Sequence, residues 1–89
     1  SKAAVDAMTI GLSKEVAKEG IRVNSVRAGS TETEIHASGG EPNRVQRIAK
    51  VTPLGRGAKP IEIAEAILWL ASDQSAFTTG ALFDVTGGI

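Results

Sequence analysis

Apolar side chains in residues 1–19 recur at helical steps. Val5, Met8, Leu12 and Val16 lie three or four positions apart and form one stripe. Ala3, Ala7 and Ile10 make a second face, small enough for a neighbouring helix to approach closely. Lys14, Glu15, Lys18 and Glu19 collect near the end, and Gly20 stands where a C′ glycine stops a helix. The stretch from Ser1 to Val5 already reads as helix interior, so the helix is expected to begin upstream of Ser1. The alternative makes Ser1 an N-cap, although Ala4 occupies the place where a capping box wants Glu or Gln. Residues 21–27 are short, β-branched and flanked by glycines, which predicts a strand.

Residues 28–40 are loop-rich, with Ser38-Gly39-Gly40 at their end. Residues 41–51 predict a moderately polar helix with Pro42 at its first position. Residues 52–57 predict a turn. Lys59-Pro60 then opens the clearest helix, in which Ile63, Ala66, Ile67, Leu70 and Ala71 repeat at helical spacing. A connector over 73–80, a strand over 81–85 and a tail of Thr86-Gly87-Gly88 complete the pattern. Strand, helical excursion, strand is the order of a right-handed crossover between parallel strands, which makes the fold class α/β. Two strands alone leave both sheet edges bare, so more sheet is required from residues outside this sequence.

Composition narrows the possibilities. The chain has 89 residues, too few to bury much surface, so an independent fold would be marginal. It has no Cys and one His, His36, which removes disulfides and a histidine-based zinc cluster, and no metal is expected. Ten basic and ten acidic side chains cancel without a basic stripe, so neither nucleic acid nor an anionic membrane is an expected partner. No apolar run approaches membrane-spanning length and no secretory leader is evident, so a cytoplasmic location is expected.

Several short segments match a known family in its own order. Ser1-Lys2-Ala3-Ala4-Val5 resembles the segment around the Lys of Tyr-x-x-x-Lys in short-chain dehydrogenases/reductases. Ile21-Arg22-Val23-Asn24-Ser25-Val26 followed by Ala28-Gly29-Ser30-Thr31-Glu32-Thr33 is similar to the family's strand and its Pro-Gly-x-x-x-Thr nicotinamide loop. Pro53-Leu54-Gly55-Arg56, Pro60-x-Glu62-Ile63-Ala64, Leu70-Ala71-Ser72-Asp73, Thr79-Gly80 and Asp84-Val85-x-Gly87-Gly88 resemble the region leading through the last strand. The resemblance covers essentially the whole chain. It implies the C-terminal part of a Rossmann-like doubly wound parallel sheet: the last two strands with flanking helices, residues 1–89 forming a fragment of one domain, and a substrate lid over 34–51.

The resemblance also implies the chemistry: hydride transfer between NAD or NADP and a small-molecule carbonyl or alcohol. Lys2 would be the catalytic lysine, with the family's Tyr three residues upstream of Ser1. Spacing of i, i+4 puts both side chains on one helical face. Bringing a phenol of pKa near ~10 toward neutrality takes roughly 4 kcal/mol, and one ammonium at ~4 Å in a partly desolvated site supplies on the order of 4 kcal/mol. By spacing and composition alone Lys2 would be an ordinary solvated lysine; the other matches reverse that reading. Cofactor contacts are expected from Lys2 on the ribose hydroxyls and from Ala28, Gly29, Thr31 and Thr33 around the nicotinamide. Gly29 would let the backbone approach a planar ring, and Thr33 could equally cap a helix. Ala28 departs from the family's Pro, which should leave the loop looser and raise the cofactor Kd modestly. His36 and Ser38 are candidate substrate contacts, with Gly39-Gly40 as hinge.

Gly55-Arg56-Gly57 fails as a dinucleotide fingerprint, because it follows no strand and Pro60 stands where a third glycine should be. Trp69 is expected in the core or at a subunit interface. Family members commonly pair through the Lys2 helix and through the last helix with its strand, so a homo-oligomer, dimer or tetramer, is expected. The 89-residue chain alone should be inactive, since the Tyr and phosphate loop are not in it. The competing hypothesis is a non-catalytic oligomerisation or folding fragment of such a protein.

Overall fold

The computed structural model describes residues 1–31 and 43–89. Helix α1 spans Lys2–Val16, and a 3₁₀ turn over Ala17–Glu19 tightens its end. Gly20 closes it at φ 77°, with its N–H donating to the Ala17 carbonyl. At the other end the Ser1 hydroxyl accepts from the Ala4 N–H at 3.2 Å. That bond closes the first turn described, without the reciprocal half that Glu or Gln at position 4 would add.

Strand β1 is Ser25–Ala28 and strand β2 is Leu82–Val85, paired in parallel with Ser25 opposite Leu82 and Ala28 opposite Val85. The expected strand over 21–27 is shorter at its start. Val23 N–H donates to the Thr79 hydroxyl at 3.1 Å, and the Asn24 side chain donates to Thr78 O and accepts from Ala81 N–H. One backbone bond, Gly80 N–H to Val23 O at 2.8 Å, joins these side-chain bonds there in place of a regular ladder. Helix α2 is Arg44–Val51 and helix α3 is Pro60–Ala71, followed by a 3₁₀ turn over Asp73–Ser75. Pro60 sits in the first turn of α3, where its missing N–H costs nothing. Glu41, Pro42 and Gly39-Gly40 lie outside the described residues. Among the described residues no helix is long and apolar enough to cross a membrane.

The predicted stripe of α1 is not what the helix buries. Val5, Met8 and Leu12 are exposed, whereas Thr9 and Ser13 are buried. Thr9 and Ser13 return their hydroxyls to the Val5 and Ile10 carbonyls, so both can pack without an unpaired polar group. Ser13 seats against Gly80, where a Cβ would stand 2.8 Å from the Ser13 Oγ. Leu70 of α3 is buried as expected, together with Ile48 of α2, while Ile67 is exposed. Trp69 is also exposed, and its ring meets Phe83 of β2 edge-on at 6.1 Å.

Arg22 closes the far end of this assembly. Its guanidinium donates to the carbonyls of Leu70 at 2.9 Å, Ser72 at 3.0 Å and Thr78 at 3.3 Å, and to the Ser75 hydroxyl at 3.0 Å. The C-terminal carbonyls of α3 are thereby satisfied by a cation from the segment entering β1. At the opposite end the tail folds back onto the 52–54 turn, with Leu54 N–H donating to Gly87 O at 3.0 Å. Gly87 and Gly88 take φ of 69° and 107°, and a Cβ on them would meet Thr52 Cγ2 at 2.7 Å and Pro53 Cβ at 2.9 Å.

Candidate functional site

Because β1 and β2 are parallel, the segments leaving them emerge on one side of the sheet. Gly29, Ser30 and Thr31 leave β1; Thr86 to Ile89 leave β2. The two exits cross tightly. A Cβ at Gly29 would lie 2.9 Å from the Thr86 Cα and 3.2 Å from its carbonyl oxygen. The crossing itself therefore demands glycine at 29, whatever ligand approaches the loop.

Ladder bonds pass through Ser25 N–H to Ala81 O at 3.0 Å and Gly29 N–H to Val85 O at 2.9 Å. Their even spacing points the Ala28 N–H to the opposite edge, so the family's Pro at that position would cost no bond of this ladder. Beyond Gly29 the loop is held by the turn before α3. Thr31 bridges to Ala58, whose N–H donates to Ser30 O at 2.9 Å. The peptide joining Ser30 to Thr31 is trans, so the Thr31 N–H points away from Ala58. The Thr31 hydroxyl donates to Gly29 O at 3.3 Å.

A cleft of about 550 Å³ opens at this end of the sheet. Lys2 contributes from the first turn of α1, residues 27–31 from β1 and its loop, Arg44 from the start of α2, and Asp84, Thr86 and Ile89 from β2 and the tail. Lys2, Ala28, Gly29 and Thr31 thus meet at one cavity. Thr33, His36 and Ser38 lie outside the described residues. Gly55-Arg56-Gly57 forms a turn with Gly55 at φ 82°, consistent with its rejection as a phosphate loop.

Arg27 joins the elements around the cleft. Its Nε lies 3.2 Å from Asp84 Oδ1, its register partner, and its Nη1 lies 3.9 Å from Asp6 Oδ2 on α1. These pairs are partly exposed and individually weak, yet Asp6 is one turn beyond Lys2 on the same helical face. Arg27, Arg44, Asp84 and Thr86 were not singled out from sequence. The position of Asp84 and Thr86 at the C-terminal end of a strand was an available signal; Arg44 had none.

A family model described as enoyl-(acyl carrier protein) reductase matches residues 1–89, the whole chain. The chain belongs to the short-chain dehydrogenase/reductase family. The uncharacterised oxidoreductase YgfF of Escherichia coli is 53% identical over 88 residues, covering 99% of this chain and 36% of that protein. A 3-oxoacyl-(acyl-carrier-protein) reductase of Thermotoga maritima is 43% identical over 89 residues, covering 100% of this chain and 36% of that protein. Among solved structures, a 3-oxoacyl-(acyl-carrier protein) reductase from Brucella melitensis superposes with TM-score 0.89 at 36% identity, over 99% of this chain and 32% of that one. An NADPH-bound short chain oxidoreductase from Pseudomonas aeruginosa, described as containing an atypical catalytic center, gives TM-score 0.84 at 40% identity, over 98% of this chain and 36% of that one. The chain spans about a third of the length of these curated relatives. Its fold class is that of the short-chain dehydrogenase/reductase sheet, α/β and Rossmann-like, of which it holds a parallel strand pair and flanking helices. Its relatives are oxidoreductases.

Proposed function

We propose that this chain forms the nicotinamide-facing part of an NAD(P)-dependent oxidoreductase acting on a small-molecule carbonyl or alcohol. The observation that carries the reading is the convergence of Lys2, Ala28, Gly29 and Thr31 on one cleft at the C-terminal end of two parallel strands. An NADPH-bound structure among the similar proteins supports nicotinamide over other cofactors. The cofactor is NAD or NADP.

The donor set suits the nicotinamide-ribose half of a dinucleotide. One ammonium faces the cleft from α1, and one backbone N–H, that of Thr31, points away from the strut that holds its loop. The glycine-lined wall at 29 leaves room for a flat ring. When bound, the nicotinamide supplies or accepts the hydride. Lys2 would hold the ribose hydroxyls and stabilise the anion of a phenol four positions before it. The Thr31 backbone would meet the carboxamide and the Thr33 hydroxyl the carboxamide or a phosphate, and His36 and Ser38 would contact substrate beneath a lid over 34–51.

The protein is a homo-oligomer in this reading, pairing through α1 and through α3 with β2. The apolar groups exposed on those elements, Met8, Leu12, Leu68 and Trp69, support it. It is cytoplasmic, and these 89 residues alone are inactive. The test is NADPH and NADH titration of the complete polypeptide carrying this chain, with turnover on a panel of ketones and aldehydes. Lys2→Met should lower kcat by about 10²-fold or more and weaken cofactor binding. Unchanged kcat and Kd in Lys2→Met would remove Lys2 from the mechanism.

A further inference from the structure

The cofactor loop is secured by a short strut rather than by the sheet alone. Ala58 receives Ser30 and Thr31, and Arg56 before it and Lys59 after it are held by a single carboxylate. Glu62, in the first turn of α3, accepts from Arg56 through both oxygens, Oε1 from Nη1 at 2.6 Å and Oε2 from Nη2 at 2.9 Å. Its Oε1 also accepts from the Lys59 N–H at 2.9 Å. Arg56 Nη1 reaches forward to the Gly57 carbonyl at 3.0 Å, so the guanidinium braces the strut from inside. Arg56 and Lys59 bracket Gly57 and Ala58, which makes Glu62 a clamp across the segment whose Ala58 meets the loop.

The strut bears further load on its other side. Leu54 N–H donates to Gly87 O, and Thr52 caps the last turn of α2 with its N–H on the Ile48 carbonyl. Movement of 52–59 would therefore shift the tail opposite Gly29 and the helix that carries Arg44 together with the loop. A bidentate guanidinium–carboxylate pair resists such movement better than a single contact, because two parallel bonds fix angle as well as distance.

We infer that Glu62 is a positioning residue for the cofactor loop: by clamping Arg56 and Lys59 it keeps Ala58 docked on Ser30 and Thr31 and holds the Thr31 backbone at the wall of the cleft. This inference rests on the proposed reading of that cleft. A plain capping role for Glu62 would predict lost stability and nothing more. A positioning role predicts that the binding-competent loop becomes a minority state and that apparent cofactor affinity falls by the same fraction.

The experiment uses the complete polypeptide with Glu62→Ala and Glu62→Gln, and Glu65→Gln as a charge-matched control on the exposed side of α3. NADPH Kd, kcat at saturating cofactor, the thermal midpoint and hydrogen exchange at the Ala58 and Gly29 amides are measured together. Glu62→Ala should raise Kd about tenfold, the result of a loop docked for roughly a tenth of the time, with kcat within about twofold. Exchange should quicken at Ala58 and hold at Gly29, whose bond to Val85 O belongs to the strand ladder. Glu62→Gln should fall between, and Glu65→Gln should match the unsubstituted protein. A lowered thermal midpoint with unchanged Kd and unchanged Ala58 exchange overturns the inference. If Glu62→Ala does not fold, Glu62→Gln and Arg56→Lys decide by the same readouts. Absence of NADPH and NADH binding by the unsubstituted protein overturns the reading of the cleft instead, and the exchange at Ala58 still decides whether Glu62 holds the loop.

Discussion

Gly29 shows how one position answers to two demands. The family resemblance implies a nicotinamide loop here, where a bare backbone would admit a planar ring. The structure adds a backbone crossing, with Thr86 Cα 2.9 Å from where a methyl would sit. Gly29→Ala should therefore destabilise the complete protein by about 1–3 kcal/mol, because a backbone atom cannot rotate aside as a side chain can. Chemical denaturation measures it, and an unaltered midpoint would mean that the tail yields freely. That Lys2, Ala28, Gly29 and Thr31 line one cleft was foreshadowed by short patterns of fixed spacing. Arg27 and Arg44 were not, since an arginine on a strand or a polar helix looks alike whether it faces a cleft or solvent.

Among elements, α3 and β2 followed their patterns closely, and their ends explain why. Pro60 opens α3, and Arg22 closes it from a segment more than forty residues earlier. Arg22→Met removes the donor to three carbonyls and a hydroxyl in a part-buried setting, and should cost about 2–4 kcal/mol. Faster amide exchange over 76–81 should accompany the loss; exchange unchanged there would show that the Asn24 bonds suffice. At the start of the same helix the hydrogen bond from Arg56, then that from Lys59 N–H, lowers the Glu62 pKa from 4.5 to about 2. A carboxyl with a depressed folded-state pKa adds stability above its unfolded value and loses it as pH falls through the folded one. The acid limb of the stability curve between about pH 4.5 and 2 should accordingly flatten in Glu62→Gln, as followed by thermal midpoints across that range. The pair is exposed, so the effect should shrink with added salt.

For the whole molecule the surface is decisive. The chain exposes 6378 Å², against roughly 4900 Å² for a compact protein of its mass. Its radius of gyration is 15.6 Å, where a compact domain of this length has about 12 Å. Ile48 and Leu70 are the buried apolar side chains among the described residues, while Val5, Met8, Leu12, Leu68, Phe77 and Trp69 face outward. The 89 residues in isolation should thus show little protected amide exchange, bind exposed-hydrophobe dyes, and fail to bind NADPH at micromolar concentration. A sharp cooperative unfolding transition, or micromolar binding, from that isolated piece would contradict this.

The sequence by itself determined the order of helices and strands, the parallel α/β class and the family. These depend on local periodicity, on turn chemistry and on spacings that a chain carries wherever it folds. Only the tertiary structure decided which face of α1 is covered, that Thr9 and Ser13 rather than Val5, Met8 and Leu12 are buried, and that Gly29 meets Thr86. It alone joined Ser30 to Ala58 and Arg22 to the end of α3. Those pairings link residues far apart in sequence through side chains and carbonyls, and no local pattern encodes which distant partner a hydrogen-bonding group will meet.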